Sequence, residues 1–195
     1  MPNKYNHVSF DIETLDTTST AVVLSIGIAK FNLEDDEMYD EIHDDKDRTF
    51  YIALKVQPQI ELGRTINVEK PNGELGTLQW WMTQSKDAQK VFFENKYEVE
   101  QGLNDLTEFC QDTNYAWGNG NMFDNIIIRS LYESFNMIYP YHYTRDLDLR
   151  TLKIAAGNPK ISVSTSENIK HNALDDAVFQ AILIQQFWKE LHGES

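Results

Sequence analysis

Residues 7–12 read HVSFDI, a short β-rich run that ends in an acid and continues as Glu13-Thr14. A strand sends alternate side chains to opposite faces, so Asp11 and Glu13, two positions apart, point the same way. Two like charges held side by side call for a cation. A pair of solvated acids at a strand end is the ordinary alternative, and this stretch alone does not decide between them. Residues 21–31 (AVVLSIGIAKF) and 50–56 (FYIALKV) are also crowded with β-branched and apolar residues, so the opening third reads as a β-meander. Between its second and third strands lie residues 34–48, EDDEMYDEIHDDKDR, nine acids against Lys46 and Arg48. This run reads as a solvated turn. Its alternatives are a surface that repels phosphate chains and a calcium loop, the latter disfavoured because no glycine occurs between Gly27 and Gly63 to make the sharp turn.

Further along, the periodicity changes. Leu78, Trp81 and Met82 recur at helical spacing after Thr77, a residue able to cap, which predicts a helix over residues 77–91. Residues 99–110 predict a second helix, 115–117 a short strand, and 124–135 (DNIIIRSLYESF) another helix after the glycine-spaced GNGN. Residues 146–154 predict a strand running into a helix. Residues 173–191 predict a long terminal helix with Ala177, Ala181, Ile184 and Phe187 on one stripe. The serine-rich residues 160–169 (KISVSTSENI) are the best candidate for a mobile loop.

The chain has 195 residues, 41% of them hydrophobic, and its 17 Lys+Arg against 31 Asp+Glu give a net charge of −14. That length predicts one domain over residues 1–195, able to hide roughly 70% of its unfolded surface without disulfides or structural zinc. Cys110 is the one cysteine, so no intramolecular disulfide forms. With no apolar run near the roughly 18 residues of a membrane span and no apolar signal core in MPNKYNH, the expected location is cytoplasmic, with no membrane partner. The sequence leaves oligomeric state open, a homo-oligomer included.

Two further acids stand in unusual contexts. Asp124 heads an apolar helix directly after Phe123, and Asp176 lies five residues after His171 in HNALDDA. Taken singly, each has an ordinary explanation as a cap or a surface group. In this order and on these elements, Asp11, Glu13, Asp124, His171 and Asp176 resemble the DEDD superfamily of 3′–5′ exonucleases. The first motif is FDIET, the second the Phe123-Asp124 pair, and the third fits H-x-A-x-x-D. Asn172 stands where the tyrosine branch of that superfamily has Tyr, which assigns the histidine branch. Trp80-Trp81, Trp117-Gly118-x-Gly120-x-x-Phe123-Asp124-Asn125, Arg145-Asp146 and Arg150-Thr151-Leu152 are similar to the exonuclease A-like group of large phages and its mycobacterial exoribonuclease relatives. Proofreading members place an Asn where this chain has Gly120, a departure that argues against a polymerase subunit and leaves the nucleotide contact there to Asn121 or a backbone amide.

The resemblance implies an α/β fold of the ribonuclease H-like (DnaQ-like exonuclease) type, a mixed central sheet flanked by helices. It also implies a two-metal-ion hydrolase acting on the 3′ end of single-stranded DNA or RNA and releasing nucleoside 5′-monophosphates. Two Mg²⁺ or Mn²⁺ ions would be held by Asp11, Glu13, Asp124 and Asp176, with Asp11 touching both, and His171 would be the general base. Asp176 is preferred to Asp175 because the family spacing requires it, and one helical residue of rotation, about 100°, should turn Asp175 away. Thr14, Leu15, Asn121 and Phe123 would contact the terminal nucleotide. Trp80, Trp81 and Trp117 are read as core aromatics that could alternatively stack on bases. The competing functions are hydrolysis of a dinucleotide or other small nucleotide, and a binding module with a relict site.

Overall fold

The computed structural model describes residues 4–70, 72–163 and 171–193. Its centre is a five-stranded sheet of order β3-β2-β1-β4-β5, comprising β1 (His7–Thr14), β2 (Val23–Phe31), β3 (Thr49–Ala53), β4 (Tyr115–Gly118) and β5 (Asp146–Asp148). The first three strands form the antiparallel meander, and β4 and β5 add parallel to β1. The parallel pairs need crossovers, supplied by α4 (Val99–Cys110) and α5 (Asp124–Ser134).

β1 alternates sharply. Val8, Phe10 and Ile12 join the core that includes Leu103 and Leu106 of α4 and Ile127, Ile128 and Leu131 of α5. On the opposite face stand His7, Ser9, Asp11 and Glu13, and that face is covered by α7 (Ala173–His192), whose Ala177, Ala181, Ile184 and Phe187 are all buried. His7 tolerates this burial as a neutral imidazole: it accepts a hydrogen bond from Trp117 Nε1 at 3.0 Å, and desolvation lowers its pKa to about 4.

Two expectations are corrected. Residues 34–48 are not simply a solvated turn, because they contain α1 (Tyr39–His43), whose Tyr39 and Ile42 are buried against the face shared with α7. Glu37 there receives Arg48 and Gln185, and Asp36 pairs with Lys189 at 2.9 Å, so much of the acidic run is tied down. The expected helix over residues 77–91 is also broken, into α3 (Thr77–Trp81) and a 3₁₀ turn (Ala88–Phe92). The Thr83 hydroxyl and the Gln84 amide donate to the Trp80 carbonyl, and Gln89 donates to those of Trp81, Met82 and Gln84. These side chains replace the next helical turn. The other α-helices among the described residues are α2 (Gln57–Glu61) and α6 (Leu149–Ala155). Residues 164–169 of the expected mobile loop lie outside the described residues. Among the described residues, no helix is long and apolar enough to cross a membrane.

Gly27, paired with Asp11 across β1 and β2, sets how closely α7 approaches the sheet. A Cβ there would lie 2.1 Å from the carbonyl carbon and oxygen of Ala173 and 2.3 Å from the amide nitrogen of Leu174. Because the obstacle is backbone, Gly27→Ala should destabilise the protein by about 3 kcal/mol, at the upper end of overpacking effects. An unchanged urea midpoint would contradict this packing.

Candidate active site

Three elements bring the acids together. β1 supplies Asp11 and Glu13. Asp124 opens α5, where Gly118 permits close approach: a Cβ on that glycine would meet Asn125 Oδ1 at 2.4 Å and Asp124 Oδ2 at 3.1 Å. Asn125 and Arg129 then bind the Asp146 carboxylate at 3.2 and 2.6 Å, anchoring α5 to β5. The third element is the start of α7, capped by Asn172, whose side chain accepts from the amides of Leu174 and Asp175 at 3.0 and 3.2 Å. His171 sits just before it with φ 65°, in the left-handed region, and its amide donates to Asp176 Oδ2 at 3.1 Å.

Asp11, Glu13, Asp124, His171 and Asp176 all line one cleft of about 780 Å³. Ligand atoms of Glu13, His171 and Asp176 lie within 4.8 Å of one another. Burial, then repulsion from Asp124, Glu13 and Asp176, raises the Asp11 pKa well above the usual carboxylate range. Glu13 is raised by burial and then by Asp176 and Asp124, while Asp124 is raised chiefly by burial. A group of poorly solvated, mutually repelling oxygen donors with an imidazole at its edge fits divalent cations of the Mg²⁺ or Mn²⁺ kind.

Asp175 does turn away. Its carboxylate accepts from the Tyr39 hydroxyl at 2.9 Å and lies 3.1 Å from His43 Nε2, joining α7 to α1. Gln180 was invisible as a site residue at the sequence level. One helical turn beyond Asp176, it donates Nε2 to Asp11 Oδ1 at 2.7 Å, while its oxygen lies 3.5 Å from the Ser9 hydroxyl.

A second cavity, about 310 Å³ and mainly apolar, adjoins the cleft and shares Ile12, Glu13 and Phe123 with it. Thr14, Thr17, Trp80 and Trp81 also line it. Trp81 is fully buried and donates Nε1 to the Thr14 carbonyl at 2.8 Å, and Trp80 meets the His171 ring edge-on at 4.9 Å. Trp117 is core. Leu15 is buried with Val22, Leu24 and Trp81 and lines neither cavity. Asn121 also lines neither; its amide donates to Asp148 Oδ2 at 2.7 Å, and Asn119 faces the cleft instead.

The fold is similar to that of known nucleases. The chain aligns with cell-death related nuclease 4 (CRN-4) at TM-score 0.57 and 12% identity, covering 92% of this chain and 62% of that one. It therefore spans less than two thirds of the CRN-4 chain. It aligns with the Mg²⁺- and Mn²⁺-bound form of S. pombe Pop2p at TM-score 0.53 and 12% identity, covering 98% of this chain and 86% of that one. At such identity these likenesses establish the fold, a mixed sheet of the ribonuclease H-like kind. No curated protein matches the chain. The 3′–5′ exoribonuclease Rv2179c-like domain family matches residues 6–188, nearly the whole length. The chain belongs to this family, that of the 3′–5′ exoribonuclease Rv2179c-like domain.

Proposed function

We propose that the protein removes nucleotides one at a time from the 3′ end of single-stranded RNA, using divalent metal ions held by Asp11, Glu13, Asp124 and Asp176. The observation that carries this reading is the convergence of these carboxylates and His171 on one cleft, beside a cavity of about 310 Å³. That volume lies at the lower end of small-molecule sites, roughly 300–1,000 Å³, and suits a single nucleoside. RNA is favoured by the family's character, and a free mononucleotide is disfavoured by the larger cleft that continues past the acids.

When bound, a pair of such ions would activate a water and offset the charge that develops on the phosphate oxygens. The chain's own groups do the rest. The apolar cavity, floored by Trp80 and Trp81, seats the terminal nucleoside with Thr14 at its rim. Gln180 holds the Asp11 carboxylate by its Oδ1 at the cleft wall. His171, held by the Asp176 contact and the Trp80 ring, takes the proton of the attacking water through an imidazole nitrogen. The P–O3′ bond breaks, the departing 3′-oxygen takes up a proton, and the terminal residue leaves as a nucleoside 5′-monophosphate.

The raised carboxyl pKa values predict a pH dependence of stability without metal. In the pH range above the unfolded values, the folded state holds more protons than the unfolded one, so stability falls as pH rises. Mn²⁺ should restore it, and most strongly at the higher pH. A metal-free melting temperature that climbs steadily from pH 5 to pH 8 would contradict the clustering. The function itself is tested with a 3′-labelled RNA, a 3′-phosphorylated copy and a circular strand. Early release of labelled 5′-monophosphate, with the circle intact, is expected; cutting of the circle would refute exonucleolytic action.

A further inference from the structure

The cleft does not end at the acids. It follows α7 from Asp176 to Phe187, eleven residues or roughly 16 Å of helix. Its wall on that side is α6, where Arg150 and Lys153 stand three residues apart and both face the cleft, while Leu149 and Leu152 are buried. Lys153 also borders the next groove, which includes Lys160.

Cations are scarce in a chain of net charge −14, and the other arginines are committed elsewhere. Arg48 binds Glu37, Arg64 the Ala21 carbonyl, and Arg129 Asp146, while Arg145 lies over the Tyr115 ring. Among the described residues no carboxylate forms an ion pair with Arg150 or Lys153. Among the described residues the Arg150 side chain makes one long hydrogen bond, from Nε to Asn119 Oδ1 at 3.4 Å, and its charge acts on the carboxyls of Asp124 and Asp148 without pairing with either.

Gly120 makes this position available. Its φ is 108°, and a Cβ there would lie 3.3 Å from both Cζ and Nη1 of Arg150. The bare glycine backbone lets the guanidinium lie against it. A planar guanidinium lining a cleft matches a phosphate oxygen pair, and a lysine beside it adds a point charge.

Resting on the exonuclease reading above, we propose that Arg150 and Lys153 form an upstream phosphate subsite, which grips the phosphodiester one nucleotide 5′ of the scissile bond. Direction follows from the layout. The nucleoside cavity meets the cleft at Ile12, Glu13 and Phe123, and neither Arg150 nor Lys153 borders that cavity. With the terminal nucleoside there and the scissile phosphate over the acids, the remaining strand leaves across α6. The smallest substrate held at full affinity is then a trinucleotide, which carries two phosphodiesters.

The test compares a dinucleotide and a trinucleotide, both without 5′-phosphate, on wild type, Arg150→Gln, Lys153→Gln and Arg150→Lys. Arg150 is exposed, so its variants should fold. Arg150→Gln should raise KM for the trinucleotide about tenfold, the usual worth of one charged contact, with kcat nearly constant and a much smaller change for the dinucleotide. The slope of log(kcat/KM) against log salt should shrink by about 0.7 on the trinucleotide. Lys153→Gln should act in the same direction, and Arg150→Lys should recover part of the loss. Lys90→Gln, which removes an exposed cation paired with Asp87 outside the cleft, controls for net charge and should change neither substrate. Equal losses on both substrates would overturn the subsite, placing Arg150 at the scissile phosphate or beside Asp124; no loss on either would overturn it as well. A wild-type enzyme inactive on both would refute the exonuclease reading itself, and the subsite with it.

Discussion

Asp11→Asn should lower turnover by roughly 10⁴-fold or more while the protein stays folded. Asparagine keeps the shape of aspartate and can still accept the Gln180 hydrogen bond. It loses the charge at the residue that Asp124, Glu13 and Asp176 all repel. If Asp11 holds the metal ions as proposed, losing that charge stabilisation would cost several kcal/mol, and each 1.36 kcal/mol is tenfold in rate. Relief of repulsion should leave the metal-free protein as stable as wild type or more so, which separates loss of chemistry from loss of fold. Asp124→Asn should be milder. Were it the more severe under single-turnover conditions, Asp11 would not be the residue that touches both ions.

His171→Ala should lower turnover by about 10² to 10⁴-fold, the range of a general base. The ring lies edge-on to Trp80 at 4.9 Å, in a recess that free imidazole can enter once the side chain is gone. Added imidazole should therefore restore part of the rate. Metal affinity, read from Mn²⁺ titration, should be nearly unchanged. Because Glu13, His171 and Asp176 lie within ligating reach of one another, the competing role is a metal ligand. A large loss of Mn²⁺ affinity without imidazole rescue would assign it that role.

The parts of this molecule that were legible in the sequence are those governed by short periods. The alternation of HVSFDIET gave both the core face of β1 and the shared face of Asp11 and Glu13. Helical rotation separated Asp175 from Asp176, although not that Asp175 would be bound by Tyr39 and His43 from a distant segment. That segment was misread because its acids hid the i, i+3 pair Tyr39 and Ile42, which suffices for a short helix resting on α7. The break after Trp81 was hidden for another reason: polar side chains that look compatible with a helix here bind its last carbonyls. Gln180, Gly27 and the seating of Arg150 over Gly120 depend on contacts between elements far apart in the chain, and no local period encodes those.

The most direct test of the account is a time course on 5′-labelled single-stranded RNA with Mg²⁺ and with excess chelator, run beside matched DNA. The account predicts a ladder that shortens from the 3′ end in single-nucleotide steps with Mg²⁺, and an intact strand in chelator. Shortening that proceeds undiminished in chelator, or internal cuts in place of a stepwise ladder, would contradict it.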